Sequence, residues 1–190
     1  MQAKITCVNL ATTGNIKADE KDTTNETNTA TESKYANKAV ADIYSTTTLN
    51  IRKKGSINAK IVGKMKKGNI ATVLKKGSEW SKVRSGNVTG YVKNQYLVFG
   101  DEIENFAKQN VKKVAKVQTE TLRVRKKAST DSKIVTLVSE DDKLKVKKQT
   151  NDWAKVKVDG QTGYVSKDYA KVTYSFGKAK SMKQIQAEQA

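Results

Sequence analysis

Leu49-Asn-Ile-Arg-Lys-Lys54 returns as Leu122-Arg-Val-Arg-Lys-Lys127, Trp80-Ser-Lys-Val83 as Trp153-Ala-Lys-Val156, and Thr89-Gly-Tyr-Val92 as Thr162-Gly-Tyr-Val165, every pair offset by 73 positions. Leu49–Tyr96 aligns with Leu122–Tyr169 without a gap, and 18 of the 48 positions are identical. So long a period, present only twice, argues against a solenoid, whose shorter units need about three or more copies to stack. The chain is therefore read as two copies of one small domain, each holding its own core.

The apolar residues within a copy are short, β-branched and often alternate, as in Leu49/Ile51, Ile61/Val62, Ile70/Thr72/Leu74 and Leu144/Val146, with turn signals at Lys76-Gly-Ser-Glu79 and Ser85-Gly-Asn87. A period of two means strands, and several short strands in about 60–65 residues predict an all-β fold of two small antiparallel barrels. The matched pairs Leu49/Leu122, Ile61/Ile134, Val83/Val156 and Val92/Val165 are expected in the cores. The segment has no proline, so Gly, Asn and Asp must supply the turns.

The expected organisation is a flexible polar leader over 1–34, a first domain over 35–99, a linker helix over 100–112, a second domain over 113–176 and a helical tail over 177–190. The leader is rich in Thr, Asn, Glu, Lys and Asp and too polar to offset the entropy of ordering. In the linker, Asp101 is placed to cap, and Ile103, Phe106 and Ala107 share one helical face that is expected to dock onto a barrel. The tail from Ser181 begins with a capping serine and has no stop signal, reading as a helix that leads toward a further domain. Residues 1–10 lack the unbroken apolar core of a signal peptide, so a secreted protein would have lost its signal from this chain.

Composition removes whole classes of chemistry. With no His, and with Cys7 as the one cysteine outside both copies, neither a Ser-His-Asp or Cys-His unit nor a His- or Cys-based zinc site can be assembled. The acidic cluster Glu140-Asp141-Asp142 falls where the first copy has Lys67-Gly68-Asn69, which suits a solvated turn better than a carboxylate pair. The chain itself is read as non-enzymatic, with no metal and no cofactor.

Charge points instead to binding. There are 37 Lys and Arg against 19 Asp and Glu, a net +18. Residues 35–99 carry 13 basic and 2 acidic side chains, and residues 113–176 carry 15 and 8, so the copies differ, +11 against +7. An anionic partner is implied, felt more strongly by the first copy and weakened by salt.

Alternation along the Trp strand sets Val83 with Ser81 on one face and Trp80 with Lys82 and Arg84 on the other, and the second copy repeats this with Trp153, Lys155 and Lys157. Trp80 and Trp153 then lie on a groove side among cations, or else cap the core through strand twist or a bulge. Tyr91, Tyr96, Tyr164 and Tyr169 have the same two readings, as barrel closers or groove walls. Together with Arg52, Lys82, Arg125 and Lys155, these aromatics are the candidate ligand-binding residues.

Leu49-Asn-Ile-Arg52, Lys60-Ile-Val-Gly63, Lys67-Gly68, Glu79-Trp80-Ser-Lys-Val83 and Thr89-Gly-Tyr-Val92, with the second-copy motifs through Gly160-Gln-Thr-Gly-Tyr-Val165 and Tyr169, resemble tandem bacterial SH3-like domains. The layout is similar to the N-terminal half of clostridial-type secreted cell-wall hydrolases. The resemblance departs at the usual first-loop proline, where Gly55 and Ala128 stand, and at Gly68, which is Asp141 in the second copy. It implies an extracellular, wall-associated, non-catalytic module that binds peptidoglycan peptide or glycan and anionic wall polymers, attached to a downstream hydrolase and without a membrane span. The alternative is a spacer that positions and restricts an NlpC-type cysteine endopeptidase without binding the wall. Nucleic-acid binding, drawn from charge and exposed aromatics, is a lesser alternative.

Overall fold

The computed structural model describes residues 33–190, so Cys7 and all but the last two residues of the expected leader lie outside the described residues. Within that range are two antiparallel sheets. The first is built from β1 (Lys38–Ala41), β2 (Leu49–Arg52), β3 (Ile61–Met65), β4 (Ile70–Lys75), β5 (Trp80–Ser85), β6 (Val88–Lys93) and β7 (Leu97–Phe99). The second uses β8 (Lys113–Val117), β9 (Thr121–Arg125), β10 (Ile134–Ser139), β11 (Lys143–Gln149), β12 (Trp153–Val158), β13 (Gln161–Ser166) and β14 (Ala170–Tyr174). Their order is β3-β2-β6-β5-β4-β1-β7 in one and β10-β9-β13-β12-β11-β8-β14 in the other, the same topology twice.

Each sheet rolls around its own core. All seven strands of the second copy contribute, through Ala115, Val117, Leu122, Val124, Val138, Leu144, Ala154, Val156, Val165 and Ala170. One sheet can bury residues from every strand against each other only by curling on itself, which is how so small a domain also limits exposed edges. The repeated Thr-Gly-Tyr-Val serves this curl. A Cβ at Gly90 would come within 2.6 Å of Arg52 O, and one at Gly163 within 2.5 Å of Val124 Cγ1, so only glycine lets β6 approach β2, and β13 approach β9, so closely.

One strand's alternation is resolved and one expectation about the cores, for Ile61/Ile134, is corrected. In β4 it is Ala71 and Val73 that face the first core, while Ile70 packs elsewhere and Leu74 is 43% exposed. A register shift in the β4–β5 pairing between Val73 and Lys75 marks a bulge, matched between Val146 and Lys148 in the second copy. Ile61 is only half-buried and Ile134 is 43% exposed, because each opens a strand that follows the long loop. Leu49/Leu122, Val83/Val156 and Val92/Val165 are buried in both copies.

A joint lies between the sheets. The helix α1 (Glu102–Asn110) buries Ile103, Phe106 and Ala107, and Ile103 and Phe106 pack with Tyr35 and Val40, joined by Ile70, Val98 and Phe176. Asp101 takes helical backbone angles and its side chain makes no capping hydrogen bond, contrary to the capping role read from the sequence. Phe176, just past the second sheet, meets Tyr35 edge-on at 6.0 Å and Tyr174 at 6.1 Å, and Tyr174 Oη donates to Glu104 Oε1 at 3.2 Å.

Beyond this joint the chain returns to the first copy. Gly177 bridges Asn69, Ala179 is buried in the first core, and β15 (Lys180–Ser181) pairs antiparallel with β3, Lys180 opposite Lys64 and Ser181 opposite Gly63. The helix α2 (Met182–Gln189) then starts from a capping box between Ser181 and Gln184. A segment that follows the second copy thus completes the first.

Candidate functional site

On β5, Ser81, Val83 and Ser85 are buried while Trp80, Lys82 and Arg84 face outward. β12 repeats the alternation, with Ala154 and Val156 buried and Trp153 half-buried. Neither Trp belongs to a core cluster, so of the two placements open from the sequence both rings take the groove side.

Each Trp forms one wall of a groove. In the first copy a hollow of ≈370 Å³ is lined by Trp80, Arg52 and Tyr96 together with Leu49, Asn50, Ile57 and Lys93. In the second a hollow of ≈340 Å³ is lined by Trp153, Arg125 and Tyr169 together with Leu122, Arg123, Thr130 and Ser166. Eight lining positions correspond at the 73-residue offset, while Ile43 and Thr47 line only the first hollow and Thr119 only the second, so the two grooves are one site built twice with different rims. Tyr96 and Tyr169 are 39% and 54% exposed, open to a ligand rather than sealing a core.

The arginines hold the groove wall in shape. Arg52 Nη1 donates to Ala59 O and Arg125 Nη1 to Ser132 O, both at 2.8 Å, closing the loop whose base is the Lys53–Lys60 or Lys126–Lys133 backbone bond. One N–H so engaged leaves the rest of each guanidinium fork for a ligand. The same loop reaches the Trp: a Cβ at Gly55 would lie 3.1 Å from Trp80 Cβ, so the ring's root packs on bare backbone there. Ala128 occupies that position in the second copy.

Lys82 and Tyr91, with Lys155 and Tyr164, do not line these grooves. They are cross-strand neighbours, Lys82 opposite Tyr91 and Tyr91 opposite Arg52, and likewise Lys155, Tyr164 and Arg125. A row of cation, ring and cation therefore runs across three strands beside each groove. In the second copy Lys155 Nζ lies 5.7 Å from the Tyr164 ring centre, and a further hollow of ≈260 Å³ on that flank of Trp153 is lined by Lys148, Lys155 and Tyr164.

Sequence reasoning missed Asn50/Arg123, Ile57/Thr130 and Lys93/Ser166 as groove residues. The first pair was within reach, since on a strand it shares a face with Arg52 or Arg125 two positions on. Lys93 stands opposite Trp80 and forms an ion pair with Glu79 at 3.2 Å. The Asp141 turn is solvated as expected: Asp141 has φ 66°, close to the 78° of Gly68, and binds Lys116 at 2.7 Å. Among the described residues no group of three or more His, Cys, Asp or Glu gathers as for a metal ion, and no helix is long and apolar enough to cross a membrane.

Comparison with known families settles what this doubled architecture is. The bacterial SH3 domain family matches residues 47–98 and again 120–171, two segments separated by the same 73 positions. The chain belongs to the bacterial SH3 domain family. The Bacillus subtilis (strain 168) protein named "Putative N-acetylmuramoyl-L-alanine amidase YrvJ" is 30% identical over 127 residues, covering 64% of this chain. The aligned part is 24% of that protein's length. Among solved structures, an NlpC/P60 family protein from Bacillus cereus ATCC 10987 aligns with 73% of this chain and 57% of its own at 15% identity and TM-score 0.33. NlpC2 from Trichomonas vaginalis aligns with 73% of this chain and 48% of its own at 12% identity and TM-score 0.29. Those scores are too low to carry an argument about this tandem of bacterial SH3 domains.

Proposed function

We propose that this tandem is a non-catalytic module that binds and targets the bacterial cell wall as part of a longer peptidoglycan hydrolase. The observation that carries the reading is the repetition of one groove, Arg52, Trp80 and Tyr96 against Arg125, Trp153 and Tyr169, on two barrels with strong positive charge. An aromatic wall stacks on the apolar face of a sugar or peptide, and an arginine fork beside it supplies polar recognition. Excess lysine draws the module to an anionic surface over distances of about the screening length. The relationship to the B. subtilis protein supports the wall as the setting and an extracellular location. Partners are then peptidoglycan peptide or glycan, anionic wall polymers and a hydrolase domain in the same protein. Sedimentation with purified peptidoglycan tests the reading: binding at moderate salt supports it, and failure with both stripped and polymer-bearing walls removes it.

A second reading has its own support. The joint around Phe176 and the return of β15 to β3 tie the two barrels together, as a spacer that holds a downstream NlpC-type endopeptidase in place would require. Deleting the tandem from a longer enzyme would then change cleavage specificity while leaving wall affinity intact.

A further inference from the structure

The two grooves share their Arg, Trp and Tyr but not their electrostatics. Two residues before the shared arginine, β2 carries Asn50 and β9 carries Arg123, and both line their grooves. Arg123 is exposed, and among the described residues no hydrogen bond or ion pair engages its guanidinium. The extra cation of the first groove, Lys93, is held by Glu79 at 3.2 Å, and Ser166 replaces it in the second. Among the described residues no carboxylate lines either groove, so the difference lies in the Glu79 partner of Lys93. The nearest carboxylate in the second groove's hydrogen-bond network is Asp168, which accepts from Ser166 Oγ at 3.1 Å. So the copy with the smaller net charge has the groove with the less neutralised cations.

We propose that the second groove contains a subsite for a carboxylate, with Arg123 as its specificity-determining residue, and that the first groove lacks it. This rests on the reading of the grooves as peptide or glycan sites. Arg125 has one N–H committed to Ser132 O, whereas the whole fork of Arg123 is free to take a carboxylate through two parallel hydrogen bonds. Thr121 and Thr130 on the wall add hydroxyl donors, and Trp153 covers the uncharged part of the ligand. A hollow of ≈340 Å³ with one uncommitted arginine beside one ring fits a single discrete oxyanion on a peptide better than a running polyphosphate, which calls for a row of cations. The two domains thus read different groups with one architecture.

The test uses the full chain and a synthetic peptidoglycan stem peptide with a free C-terminal carboxylate, its C-terminal amide, and a soluble phosphodiester wall polymer. The wild type should prefer the acid to the amide. Arg123→Asn, which installs the first copy's residue at an exposed site, should weaken acid binding by about tenfold or more and abolish that preference, the loss expected of a charge-assisted contact. Asn50→Arg should create the preference in the first groove, seen as acid-dependent shifts of the Trp80 indole resonance. If Arg123→Asn changes nothing while Trp153→Ala removes binding, the subsite is refuted and the groove reading survives. If neither variant affects binding, the groove reading itself falls. Loss of the phosphodiester polymer alone on Arg123→Asn would overturn the carboxylate assignment.

Discussion

Ser85 Oγ accepts a hydrogen bond from the backbone N–H of Ala179, 94 residues further along, at 2.9 Å, and donates to Ile70 O at 2.6 Å. This buried hydroxyl is the latch by which the segment after the second barrel completes the first. The matched residue in the second copy is Val158, which packs against its own core and needs no such partner. Barrel 1 is therefore completed from outside, whereas the core of barrel 2 closes with its own residues.

Ser85→Ala is expected to destabilise the first barrel by about 1–3 kcal/mol, the usual cost of leaving a buried polar group without its partner. Amide exchange should accelerate at Ala179, Lys180 and β3 and be unchanged in β8–β14. Equal acceleration in both barrels would contradict the latch.

Gly63→Thr installs the residue that the second copy has at position 136. A Cβ there would lie 2.8 Å from Lys180 O and 2.7 Å from Val88 Cγ1, so β15 must lift away. Limited proteolysis should then cut between residues 175 and 182 faster than in the wild type. The reverse change, Thr136→Gly, should leave that cleavage rate alone.

The Tyr174 phenol is held above the ordinary tyrosine range, chiefly by burial, then by the charge of Glu104 and the hydrogen bond to it. Because the fold raises this pKa, it favours the neutral phenol. The stabilisation is fully present below the ordinary value of about 10 and is lost as pH rises through the folded value. Absorbance titration should show Tyr174 ionising late, and Glu104→Gln should bring it part of the way back, since burial remains. No change on Glu104→Gln would sink this account of the joint.

Trp80→Ala and Trp153→Ala should cost much less stability than Leu49→Ala or Leu122→Ala, for which about 2–5 kcal/mol is expected of a buried leucine. Thermal unfolding of the four variants checks that the rings face the groove and the leucines the core. Equal losses would put the rings back in the core.

Much of this architecture was legible because the chain states it twice. A gapless offset of 73 residues exposed the two domains, and alternation on β5 and β12 set both Trp rings off the Val face while leaving groove side and core cap both open. Where the core face of β4 stayed unread, a small residue and a bulge hid the answer. Ala71 does not announce a core face beside Ile70 and Leu74, although the matched Leu144 does, and the bulge at Leu74 reverses the side chains that follow. The return of β15 was invisible in Phe176-Gly-Lys-Ala-Lys-Ser181 because its one buried side chain is a methyl group. Its signal lay in the mismatches, Gly63 against Thr136 and Ser85 against Val158, which read as drift until the segment they accommodate is seen. Groove residues were half legible: Arg52 and Arg125 stood out by identity, while Asn50 and Arg123 gain meaning from sharing their face.

The most direct measurement is sedimentation of the wild type and of a Trp80→Ala/Trp153→Ala double variant with purified peptidoglycan free of anionic polymers, at moderate salt. The twin-groove account predicts that the wild type pellets with the wall and that the folded double variant stays in solution. Equal pelleting of the two proteins, or none of either, would contradict it.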